Sequence, residues 1–315
     1  MMSLIRHILT VAALASTLSS CASILVGIGA GDNRSEAKIE RQREENRTKW
    51  EGIVPGIMPW ADSLRAAGVM KDTFMMKDGV RLHAVIVYAE QKSPRTAIVQ
   101  HGYTAGPENV MPIVRMYRDS LGFNVLSPSL RHHGYSEGDH VQMGWEDRFD
   151  MLAWSEQAHR MFGDTAQVFH GVSMGAATVM MASGEDTPAY VKGFVEDCGY
   201  TSAWEELIFA SDRYLHKDAR FVARAEKCFE RRYGLNLHEA SSTSQLAKCS
   251  KPMLFIHGDA DNLVPVWMAF RNFDAKTLGY KELWIVPGAA HSRSFPSHTA
   301  EYTARVRAFV NNILE

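Results

Sequence analysis

A serine with a glycine two positions away on either side, Gly171-Val172-Ser173-Met174-Gly175, is the first place in the chain where residue type and spacing suggest chemistry. A serine hydroxyl is a weak nucleophile until a base takes its proton. The base is usually a histidine, and an acid must hold that histidine in one tautomer and stabilise the charge it acquires. The motif is short, so its context carries the weight. Ala166–Phe169 reads as a strand before it and Ala176–Met181 as a helix after it, which stands the hydroxyl on a tight turn above a sheet, where side chains larger than glycine two residues away would clash. His291 follows the strand-like run Glu282–Val286 and precedes the last helical segment, late in the chain as such a base should be. Three carboxylates could orient it: Asp259 and Asp261, in the loop after Met253–His257, and Asp197, at the end of an earlier strand. Chain order leaves all three open. The oxyanion of an acyl-transfer step needs preorganised donors. The backbone N–H of Met174 is one, and the loop His101-Gly102-Tyr103-Thr104-Ala105-Gly106 supplies the other. Tyr103 N–H is the expected donor there, with Gly102 letting the backbone come close and the Thr104 hydroxyl as the alternative.

These residues need a scaffold, and the pattern predicts one. Asp72–Met76 and Val80–Tyr88 flank Lys77-Asp78-Gly79, a hairpin signal. Arg95–Gln100, Phe123–Ser127, Ala166–Gly171, Val191–Asp197, Pro252–His257 and Glu282–Val286 are apolar runs of buried-strand type. Helical spacing recurs over Met111–Leu121, from Trp145 to Ala153, and in Tyr302, Val306, Phe309, Val310 and Ile313. Strands alternating with helices predict an α/β fold: a mostly parallel eight-stranded sheet with helices on both faces and an antiparallel edge. The segment 199–250 has no clear strand and mixes aromatic and charged residues at helical spacing. It is expected to be a helical cap over the carboxyl ends of the strands, where such sheets bind ligands. Its Trp204, Phe209 and Tyr214 either wall an acyl or aromatic pocket or pack the cap onto the core. His132 and His133 are expected to shape their turn, His170 and His257 to be buried at strand ends, and the methionines to fill the core.

The chain resembles α/β-hydrolases of the bacterial esterase, acylaminopeptidase-like and cinnamoyl-esterase-like branch. The resemblance lies in His101-Gly102-Tyr103, Arg131-His132-His133-Gly134-Tyr135-Ser136-Glu137-Gly138, Gly144-Trp145-Glu146, His170 through Gly175, Asp197-Cys198-Gly199-Tyr200-Thr201-Ser202, His257-Gly258 with Asp261 and Val264-Pro265, and Gly288 with His291. It implies Ser173 as nucleophile, Asp261 as acid, His291 as base, and Tyr103 and Met174 as oxyanion donors. The implied activity is hydrolysis of a small ester or acyl compound through an acyl-enzyme, without a cofactor. A serine peptidase or a thioesterase would share this machinery, and a non-catalytic surface-binding lipoprotein is the rival from another class.

The N-terminus reads differently. Arg6 and His7 precede the apolar run Ile8–Leu18, which is short for a membrane span, and Leu18-Ser19-Ser20-Cys21 resembles the bacterial lipobox. The expected organisation is a signal peptide at 1–20, a charged tether and lead-in segment at 21–59, whose charged part (Asp32 to about Lys49) is a solvated tether or an exposed helix, and the hydrolase domain at 60–315. The resemblance implies lipidation at Cys21, anchoring in the bacterial envelope, and, from Ala22 in place of Asp, the outer membrane. A plain cleaved signal would instead give a secreted or periplasmic protein. The 315 residues are 46% hydrophobic and 22% charged, with 34 basic against 36 acidic residues. That near-balance, without a basic block, marks no nucleic-acid binder. No CxxC pair or His/Cys cluster marks a metal site. A disulfide between Cys228 and Cys249 is an option that spacing alone does not establish.

Overall fold

The computed structural model describes residues 35–216 and 219–314. The signal peptide at 1–20 and the lipidation site at Cys21 lie outside the described residues. Eight strands form one sheet: β1 (Met70–Lys77), β2 (Val80–Val87), β3 (Arg95–Gln100), β4 (Asn124–Pro128), β5 (Ala166–Val172), β6 (Val191–Asp197), β7 (Met253–Gly258) and β8 (Lys281–Val286). Their order is β1-β2-β4-β3-β5-β6-β7-β8. β2 runs antiparallel to β1 and β4, and the pairings from β4 to β8 are parallel. Asp78 and Gly79 both take positive φ, as the two-residue hairpin turn requires.

Along the central strands neighbouring side chains go to opposite faces, as a period of two demands. Val168, Val195 and Leu254 join one apolar layer, while Phe169, Phe194 and Phe255 join the other. The first layer is covered by α1 (Glu36–Ile53), α2 (Ile57–Ala66), α3 (Met111–Arg115, continuing into a wider turn to Ser120) and the C-terminal helix Thr299–Leu314. The second is covered by α4 (Asp147–Phe162), α5 (Met174–Ser183) and the short helix Ser242–Leu246. The chain winds outward from β3 in both directions, to β4 on one side and β5 on the other. That reversal opens a crevice at the carboxyl ends of β3 and β5, which is where open α/β sheets bind ligands.

Two expectations need revision. From Glu36 onward the charged segment is a helix, but one lying against the domain and not a solvated spacer. Trp50 is buried in the first apolar layer, and Arg43 is bonded to the nearly buried Glu108 at 2.9 Å. The cap is helical as expected, with α6 (Ala203–Ala210) and α7 (Ala219–Tyr233), but it is shorter than 199–250. A bridge between Ser202 and Ser241 closes its stem, and beyond it α8 (Ser242–Leu246) buries Leu246 in the sheet layer. The Cys228–Cys249 disulfide is absent: neither cysteine is in a disulfide. Cys228 packs beside the cap's apolar cluster and Cys249 lies in the layer beneath the sheet, its Sγ donating to Lys251 O at 3.4 Å.

Candidate active site

Ser173 sits between β5 and α5 at φ 60° and ψ −124°. That is a left-handed, strained conformation for a residue with a Cβ. Gly171 and Gly175 make it attainable. A Cβ on Gly171 would stand 2.1 Å from Gly175 O, and one on Gly175 would stand 2.4 Å from Gln100 O, so strand, turn and helix meet backbone to backbone. The turn is tied to the neighbouring strand by Ser173 N–H donating to Asp197 O at 2.9 Å.

Three distant segments converge on this serine. His291 Nε2 lies 2.9 Å from Ser173 Oγ, and His291 Nδ1 lies 2.7 Å from Asp261 Oδ2. A carboxylate can only accept, so Nδ1 carries the proton of the neutral ring and Nε2 is left to receive the serine proton. The Asp261 side chain is fully enclosed, and its second oxygen accepts the N–H groups of Leu263 and Val264, each at 2.9 Å. His257 supports that turn by donating from Nε2 to Val264 O at 2.8 Å.

The other two carboxylates are occupied elsewhere. Asp259 accepts the Gly288 N–H at 2.6 Å and so braces the loop leading to His291. Asp197 accepts the hydroxyls of Ser294 at 2.9 Å and Tyr302 at 3.1 Å. Burial pushes its carboxyl up to about 7. Tyr302 in turn accepts from His170 Nε2, and His170 Nδ1 accepts from Tyr117, so this buried chain serves packing behind the site.

Met174 opens α5, where backbone N–H groups have no intrahelical partner. Tyr103 follows β3, and the backbone there comes close to the serine: a Cβ on Gly102 would stand 3.0 Å from Ser173 Cβ. The Thr104 hydroxyl donates to Tyr103 O at 2.8 Å, which engages it with local backbone. Two histidines hold this loop. His101 donates from Nδ1 to Gly102 O at 2.8 Å and accepts Leu130 N–H at 3.1 Å, while His133 accepts Thr104 N–H at 3.2 Å. Burial lowers His101 to about 4, so the ring stays neutral and keeps both bonds. His133 thus shapes the loop across from it as well as its own turn.

Two residues near the site were given no role in the sequence analysis. Cys198 has φ 56° and is buried, with Sγ 3.6 Å from Ser292 Oγ. Its Sγ, an Asp261 oxygen and a His291 nitrogen lie within 4.8 Å of one another. That spacing is compact enough for an ion, but both His291 nitrogens are engaged and burial raises the thiol well above its ordinary value. The set therefore fits a proton relay with a packed neighbour better than a metal centre. Glu206, on α6, is buried with Oε2 unpartnered, and burial foremost, then the charge of Asp261, pushes it up to about 8. Cys198 stood in a matched motif that gave it no role, and Glu206 has no local sequence signal; the groups facing both are distant in the chain. Of the cap aromatics, Trp204 and Phe209 pack against the apolar cluster that joins cap to core, whereas Tyr214 is exposed and donates to Asn262 O at 2.7 Å, beside the Asp261 turn.

The profile of the prolyl oligopeptidase family matches residues 130–315. A Bacillus subtilis (strain 168) protein described as uncharacterized protein YqkD is 28% identical over 232 residues, 71% of this chain and 74% of that one. The Pyrococcus furiosus esterase Pf2001 superimposes with a TM-score of 0.66 at 22% identity, over 80% of this chain and 94% of its own. Est1E from Butyrivibrio proteoclasticus, solved with ferulic acid bound, gives 0.60 at 18% identity, over 77% of this chain and 99% of its own. The Pyrococcus horikoshii acylaminoacyl peptidase gives 0.60 at 16% identity, over 78% of this chain but 41% of its own. The architecture shared with these three structures is the α/β-hydrolase fold.

Proposed function

This chain belongs to the prolyl oligopeptidase family and is a serine hydrolase, and from that premise we propose that it cleaves carboxylic esters of small acyl compounds through an acyl-enzyme on Ser173. The single observation that supports the assignment is the unbroken relay from Ser173 Oγ through His291 to Asp261, at 2.9 and 2.7 Å. In this reading Ser173 Oγ attacks the carbonyl carbon as its proton passes to His291 Nε2. The imidazolium is stabilised by Asp261, which is already held by two backbone N–H groups and needs no rearrangement. The oxyanion forms between the N–H groups of Met174 and Tyr103. His291 then gives its proton to the leaving alkoxide. A water, deprotonated by the same nitrogen, attacks the acyl carbon and frees Ser173.

Ester rather than amide is chosen because one structural neighbour is described as an esterase and another was solved with ferulic acid bound. The family name and the acylaminoacyl peptidase neighbour keep amide cleavage as the second reading. The test is a matched panel of aryl esters, aminoacyl anilides and acyl thioesters assayed on wild type and Ser173→Ala. Ester turnover that exceeds anilide turnover and vanishes in the variant supports the proposal. Efficient anilide cleavage with an N-terminal preference would replace it with the peptidase reading. For location, the proposal is lipidation at Cys21 in the bacterial envelope, resting on the Leu18-Ser19-Ser20-Cys21 pattern. Metabolic labelling with a fatty-acid analogue should mark the wild type and not Cys21→Ala, and persistent labelling of the variant would remove the anchor.

A further inference from the structure

The cap carries a feature that ester hydrolysis does not use. α7 contains five basic residues, Arg220, Arg224, Lys227, Arg231 and Arg232, against two acidic ones, Glu226 and Glu230, in a chain whose formal net charge is −2. At 100° per residue, Arg220, Arg224, Lys227 and Arg231 fall within an arc of roughly 60°, and they span about 16 Å along the axis. All four are exposed, while Val222 and Phe229 on the opposite side are buried in the cap–core cluster. Both glutamates lie outside the arc, and Glu226 is turned to His238 at 3.3 Å. Among the described residues none of the four cations pairs with a carboxylate; Arg231 bonds only within its helix, to Lys227 O and Cys228 Sγ.

The stripe has a defined position relative to the N-terminal chain. Its helix ends at Tyr233, whose ring stacks on His140 with centroids 4.3 Å apart. His140 closes the loop that contains Tyr135, and Tyr135 is bonded to Glu40 and Arg43 near the start of α1. Tyr135 and His140 are five residues apart in sequence, which limits their Cα separation to about 18 Å. The C-terminal end of the basic helix and the place where the chain arrives at Ser35 therefore flank one short loop. The 34 residues preceding Ser35 include the apolar run Ile8–Leu18.

We propose that the α7 stripe is a docking surface for an anionic phospholipid bilayer, laid on the headgroups beside the point where the chain arrives. A straight row of cations with no interleaved acid suits a diffuse negative plane, to which each lysine or arginine near the surface adds attraction that salt screens. The same cations would also neutralise nucleic-acid phosphates, and it is the position of the stripe beside the arriving chain that favours the bilayer. The inference does not depend on which bond the active site cleaves.

The test uses the full chain, as wild type and as the quadruple variant Arg220→Gln, Arg224→Gln, Lys227→Gln and Arg231→Gln. Each is mixed with phosphatidylcholine vesicles and with vesicles containing about one-third phosphatidylglycerol, at low and high salt. Any hydrophobic attachment through the N-terminus is common to both proteins, so the difference between the two vesicle types isolates charge. Wild type should partition at least about tenfold more strongly onto the anionic vesicles at low salt and lose that gain at high salt, while the variant should show no gain. Unchanged circular dichroism and melting of the variant serve as the folding control. No gain in wild type, an equal gain in both proteins, or binding to duplex DNA as tight as to the vesicles would overturn the proposal.

Discussion

At the scale of single residues, geometry separates groups that composition treats alike. Asp197, Asp259 and Asp261 all end or follow strands near the site, but only Asp261 reaches His291, at 2.7 Å. Asp261→Asn should therefore lower kcat/KM by about 10³–10⁴-fold, because an amide can present its N–H to Nδ1 and favour the wrong tautomer. Asp259→Asn should leave activity within about tenfold of wild type, since it braces a loop and does not touch the ring. Steady-state kinetics on one ester would check both, and reversed magnitudes would reassign the acid. Asp197 makes a different prediction. Its native value, near 7, lies above the ordinary 3.8, so the folded protein keeps a proton that the unfolded chain releases. Its favourable contribution is complete below about pH 4, is lost as pH rises toward 7, and changes little above that. Asp197→Asn should make the decline of stability between pH 4 and 7 shallower in denaturant titrations; an unchanged slope would contradict this. Ser173 and His291 were legible from motif and order. The bonds that hold the oxyanion loop, from Leu130 N–H to His101 and from Thr104 N–H to His133, were not, because each spans about 30 residues of sequence.

At the scale of elements, most strands were legible because burial on both faces writes a continuous apolar run, as in Ala97, Ile98 and Val99. α1 was not. Its sequence is almost wholly polar, and it docks through Trp50, the ion pairs of Arg43 with Glu108 and Arg47 with Asp62, and the bonds of Glu40 and Arg43 to Tyr135, which no periodicity reveals. Trp50 is nevertheless buried in the first layer, and Arg293, two residues from His291, lies 5.7 Å from its ring centre. Trp50→Ala should destabilise the fold by about 3 kcal/mol, measured as a lower denaturation midpoint, with the refolded fraction still active. A stability equal to wild type would mean that α1 contributes nothing to the domain. The turn around Ser173 is less forgiving. Gly171→Ala would place a methyl 2.1 Å from a backbone carbonyl, and a cost of about 3 kcal/mol with loss of activity is expected. A fully active, equally stable variant would show that the turn can open.

At the scale of the whole molecule, the sheet reversal between β3 and β5 brings the Tyr103 loop beside Ser173, and the β7 and β8 loops deliver Asp261 and His291 to the same edge. This was legible because the strand order of alternating elements is strongly constrained. The extent of the cap was less so: α8 continues the helical spacing of the cap in sequence but packs into the layer under the sheet. The convergence of the three segments remains the claim on which the rest depends, and covalent capture tests it most directly. A fluorophosphonate probe should label the native protein once, with the adduct mapped by mass spectrometry to Ser173, and neither Ser173→Ala nor heat-unfolded protein should react. An adduct on another residue, or none on native protein that is otherwise folded, would contradict the account.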